Sequence, residues 1–64
     1  MVETCAVLCP VLYDPDDLPK NVNPDESKNL IEIAFNTGWR VRFYRIFEYK
    51  NVVYERYIFE REVK

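Results

Sequence analysis

The hydrophobic period changes twice along the chain, and the changes divide it into four elements. Val2 to Tyr13 alternates at a period of two, with Cys5, Val7, Cys9, Val11 and Tyr13 on one face. The spacing predicts a strand over residues 2–12, with Pro10, which has no N–H to donate, marking a sheet edge or the end of regular pairing. Residues 14–23 lose all periodicity. Pro15, Pro19 and a cluster of Asp and Asn side chains make this a connecting loop.

A helical period follows. Asn23 suits an N-cap, Pro24 the first helical position, and Asp25 and Glu26 the positive end of the helix dipole, with Glu26 at capping-box distance from Asn23. Leu30, Ile31, Ile33, Ala34 and Phe35 form an apolar stripe opposed by Lys28, Asn29, Glu32 and Asn36. The predicted helix covers residues 24–37, and Gly38 supplies the left-handed residue that ends it.

From Trp39 the period returns to two, and residues 39–49 and 52–62 read as a long hairpin. Trp39, Val41, Phe43 and Phe47 share one face of its first strand, while Val53, Tyr57, Phe59 and Val63 share one face of the second. A three-residue turn at Tyr49, Lys50 and Asn51 puts both sets on the same side, with Phe43 opposite Tyr57, Val41 opposite Phe59, Phe47 opposite Val53 and Arg45 opposite Glu55. A two-residue turn sets Arg45 against Arg56, a like-charge pair, so the first register is the expectation. The fold class is then α+β: a single 1–64 domain of β-α-β-β order, one helix packed on one face of a three-stranded, mainly antiparallel sheet.

Composition narrows the chemistry. Sixty-four residues bury only about 60% of the surface the unfolded chain exposes, so some further stabiliser is expected. Two cysteines and no histidine make a zinc site improbable, and no cofactor or metal is expected. In a strand, Cys5 and Cys9 lie about 13 Å apart, beyond the ~7 Å reach of a disulfide. Free thiols fit a reducing interior. Residues 1–12 lack the basic start of a signal peptide and no stretch has the length of a membrane span, so a cytoplasmic location is expected. Asp14, Asp16 and Asp17 lack the glycine and closing glutamate of a calcium loop. Without histidine the usual Ser-His or Cys-His pairing cannot form, and the single Gly38 excludes a glycine-rich phosphate loop. The chain reads as non-enzymatic, working by binding.

Charge and aromatics locate that binding. Residues 1–38 carry two basic and seven acidic side chains, residues 39–64 seven basic and four acidic, so the hairpin half is net positive in a chain of net charge -2. In the expected register the uncovered hairpin face shows Tyr44, Ile46, Tyr54 and Ile58 as apolar anchors ringed by Arg40, Arg42 and Arg56, the residue types that dominate interfaces. A second copy is the simplest occupant, with Arg40 and Arg42 meeting Glu60 and Glu62 across a two-fold axis. A small homodimeric regulator or inhibitor that binds another protein is the first expectation. A nucleic-acid binder stacking bases on the tyrosines is the second, although a pI near 5.0 counts against it.

Overall fold

The computed structural model describes residues 1–63; Lys64, the last residue of the expected domain, lies outside the described residues. Four elements follow in the order β1 (Val2–Leu12), α1 (Pro24–Asn36), β2 (Arg40–Tyr49) and β3 (Val52–Glu62). The α+β class and β-α-β-β order are those expected. The three strands form one antiparallel sheet ordered β1-β3-β2, so the last strand in sequence is the central one.

Local chemistry sets the helix ends. The Asn23 side-chain oxygen accepts from the Asp25 and Glu26 backbone N–H groups at 3.0 and 3.2 Å, satisfying two donors that the first turn leaves without partners. At the other end Gly38 adopts φ 85°, and the Trp39 N–H reaches back to the Ala34 carbonyl at 3.1 Å, the long bond of a Schellman ending. This reversal delivers Trp39 beside Arg61, whose guanidinium lies 4.5 Å from the indole centroid and donates to Glu3 at 2.9 Å.

The main core cluster is small and lies between α1 and the β1-β3 pair, while Val52 and Tyr54 are buried apart from it, toward the hairpin end of the opposite face. Val7, Ala34 and Phe59 are buried together, with Ile31, Trp39 and Tyr57 packed around them. Phe59 is fully buried, edge-on to Phe35 and stacked on Tyr57, each at a centroid distance of 5.5 Å. The helix also holds the sheet's outer edge. Because Met1 accepts from the Val63 N–H, odd positions of β1 bond to β3 and even ones point outward, and the outward Leu8 carbonyl accepts from the Ser27 hydroxyl at 3.0 Å. Pro10 falls on an outward position of this edge strand, where no N–H is missed, and the register shifts just beyond it.

The hairpin register differs from the expected one. Lys50 and Asn51 have φ of 49° and 65°, making a two-residue turn with both central residues left-handed, and Tyr49 pairs with Val52. Arg45 therefore lies opposite Arg56, not Glu55, and Phe47 opposite Tyr54, not Val53. A shift between Val41 and Phe43, at Arg42, restores the expected pairing of Val41 with Phe59. Two aromatic cross-strand pairs favour the observed register: Phe47 stacks on Tyr54 at 5.6 Å and Tyr44 lies 5.1 Å from Tyr57. Against them stands one exposed like-charge pair, which water reduces to about 1 kcal/mol or less.

The slip exchanges faces. Phe43 and Phe47, expected under the helix, lie on the opposite side of the sheet, and Tyr44 and Ile46 lie on the helix side, because a one-residue offset inverts every side chain beyond it. The turn makes the register testable. Lys50 and Asn51 occupy positions where Asn-Gly is preferred, so Lys50→Asn combined with Asn51→Gly is expected to stabilise the domain by about 1 kcal/mol, read as a higher Tm. A three-residue turn needs the left-handed conformation at Asn51 alone and would gain only from Asn51→Gly, so a gain from Lys50→Asn by itself marks the two-residue turn.

Candidate binding face

Among the described residues no helix or strand lies on the face of the sheet opposite α1, although Pro10, Val52 and Tyr54 are buried at its hairpin end. Strand pairing arranges this face in rows. Glu62 with Val2 forms the first, then Thr4, Glu60 and Arg40, then Ala6, Ile58 and Phe43, then Leu8, Arg56 and Arg45, and last Pro10, Tyr54 and Phe47 near the hairpin tip. The tip end is already closed, with Pro10 and Tyr54 buried and Phe47 half-buried. Exposed apolar area is concentrated in the other rows, where Val2, Leu8 and Phe43 are 50%, 45% and 48% exposed.

Of the seven expected contact residues, the structure gathers Arg40, Arg56 and Ile58 on this face. Tyr54 shares it but is only 5% exposed, so its ring is packing. Tyr44 and Ile46 lie on the other side, exposed beside the helix, and Arg42 sits in the bulge with no opposite residue. Arg45, Phe43 and Leu8 are on the face unforeseen. The bulge has no sequence signature here, since Arg42 is neither glycine nor a turn former, whereas the alternation of β1 had already set Leu8 opposite Cys9 and Val7.

The electrostatics of the face are uneven. Arg40 donates to Glu60 at 2.9 Å, which neutralises their row. Arg45 and Arg56 form no ion pair with any described residue. Arg45 instead lies 6.0 Å from the Phe47 ring centroid, its charge facing an aromatic rather than a carboxylate. Two adjacent guanidinium groups set in an apolar surround can receive carboxylates or phosphates bidentately.

On the helix side a groove of about 250 Å³ runs between α1 and the sheet, lined by residues that include Cys9, Lys28, Glu55 and Tyr57. Its chemistry is quiet. Burial, reinforced by Glu55 and partly offset by Lys28, pushes the Cys9 thiol up, away from the thiolate a nucleophile needs. Tyr57 is pushed up to about 12, first by burial and then by the hydrogen bond its hydroxyl donates to Glu55 at 2.8 Å. Cys5 and Cys9 are both free thiols. No cluster of three potential metal ligands occurs among the described residues, and no described helix is long and apolar enough to cross a membrane.

Comparison with known protein families, with curated proteins and with solved structures finds no match to this chain.

The Tyr57 phenol sets a pH dependence. The folded state holds this proton more tightly than the unfolded chain, whose tyrosines ionise near ~10, so its contribution to stability is complete below that pH and is lost as pH rises toward 12. In an ultraviolet titration of tyrosinate, one of the five tyrosines is expected to ionise last, near 12. Tyr57→Phe should remove that step, and Glu55→Gln should move it down toward the ordinary value.

Proposed function

We propose that this chain is a protein-binding module, with no catalytic chemistry of its own, that acts through the uncovered face of its sheet on a partner offering carboxylates next to apolar side chains. The observation that carries the reading is the Arg45–Arg56 pair, opposed across the hairpin without an acid and framed by Leu8, Phe43 and Ile58. A partner carboxylate relieves the repulsion between the two cations while Phe43 and Leu8 lose water-exposed apolar area. The free thiols support a reducing, cytoplasmic setting for the module.

A nucleic-acid reading uses the same arginines with phosphate. The face supports it less well. Of its aromatic rings on the paired rows, Tyr54 is buried and Phe47 half-buried, leaving Phe43 to stack a base, and Glu60 and Glu62 share the surface.

Two probes separate the readings by NMR titration, at a dilution where the chain is monomeric: a short peptide alternating Glu and Leu, and a single-stranded oligothymidylate. The peptide is expected to shift resonances of Leu8, Phe43, Arg45, Arg56 and Ile58, with affinity falling at high salt and at least tenfold in Arg45→Ser with Arg56→Ser. An oligonucleotide that binds this face while the peptide does not would favour the second reading. Silence of the face toward both probes would overturn both.

A further inference from the structure

We propose that the occupant of the uncovered face is a second copy of this chain, docked sheet to sheet about a two-fold axis perpendicular to the strands. This rests on the face being a contact surface, and it adds which partner and in which orientation.

Area points to a partner of this size. A monomer of 7.7 kDa ordinarily exposes about 4,300 Å², whereas this chain exposes 5104 Å². The surplus, on the order of 800 Å², matches what each partner contributes to a standard interface. Its source is shape: the Cα extents are 44 × 18 × 15 Å and the radius of gyration 12.9 Å, against about 10.7 Å for a compact chain of this length.

Charge selects the orientation. Two sheets can stack with closely aligned strands in either sense, about 10 Å apart. With the axis parallel to the strands, each row meets its own copy, and the Arg56/Arg45 row would bring four guanidinium groups together without an acid. With the axis perpendicular to the strands, the row order is inverted. The four exposed rows then place Glu62 and Val2 of one copy over Leu8, Arg56 and Arg45 of the other, and the neutral Arg40–Glu60 row over Ala6, Ile58 and Phe43. Glu62, exposed and without an ion-pair partner among the described residues, is thereby supplied to the unpaired arginines, twice by symmetry. Extended arginine and glutamate side chains together span the gap between the sheets. The contact is isologous and closes at two copies.

The test is solution mass by sedimentation equilibrium over a range of concentration and salt. The wild-type chain is expected at twice 7.7 kDa, dissociating as salt rises. Arg56→Glu and Glu62→Arg should each raise the dimer dissociation constant at least tenfold, and an equimolar mixture of the two should recover a heterodimer. Arg56→Glu removes the like-charge pair within the chain and gives Arg45 a carboxylate partner, so loss of mass in that variant is not loss of fold; circular dichroism checks this. A dimer indifferent to both changes uses another surface and overturns the proposal. A monomer at every concentration also overturns it, and the Glu/Leu peptide then separates the two claims: a monomer that binds the peptide through this face keeps the contact surface, and one that does not loses both.

Discussion

The structure depends on the Phe59 ring reaching the underside of α1. It sits in the central strand, fully buried, with Val7 from one edge and Ala34 from above, and it orders the aromatic contacts with Phe35 and Tyr57. The other buried group, Pro10, Val52 and Tyr54 at the hairpin end of the opposite face, lies away from the helix and does not fix it to the sheet. The small Ala34 side chain lets the helix approach closely, and Gly38 turns the chain sharply enough that Trp39 closes the same cluster from the side. Changes elsewhere act on a sheet whose attachment to the helix is decided here.

Length mismatch explains most of what is exposed. A helix of 13 residues extends about 20 Å, while strands of 11 residues extend about 36 Å. The helix lies over β1 and reaches β3, so β2, at the far edge, carries apolar side chains on both faces with only Phe47 half-buried. Tyr44 and Ile46 are exposed because the helix does not extend over β2, and Phe43 because the helix lies on the other side of the sheet. The elongated shape and the surplus surface are the same fact expressed as dimensions.

The elements were legible in the sequence because each is announced by local chemistry: Asn23-Pro24 at the helix start, Gly38 at its end, and alternation in the three strands. The helix-facing residues of β1 and β3, Val7 and Phe59 among them, were legible too. The faces of β2 were not. They depend on one residue, Arg42, that bulges out of register, and on a choice between turns that local like-charge repulsion decided wrongly. Aromatic stacking of Phe47 on Tyr54 and of Tyr44 on Tyr57 outweighs that repulsion, and such pairs become visible only once a register is assumed. Strand order lay beyond alternation entirely, since nothing local tells β1 that its neighbour is β3.

That order has a consequence for how the chain is made. β1 is synthesised first of the four elements, yet the strand it pairs with, β3, is synthesised last, and the pairing joins Val2 to Glu62. Until β3 has left the ribosome, an apolar eleven-residue strand has no ladder to join. The hairpin of β2 and β3 closes through a two-residue turn and is the local event, while docking of β1 must close a loop of some forty residues, about 2 kcal/mol costlier in entropy than a hairpin turn. Loss of Glu60, Arg61 and Glu62 from the end of β3 would open the centre of the sheet rather than an edge, leaving Val2, Glu3 and Thr4 of β1 and Arg40 of β2 without their partners at one stroke.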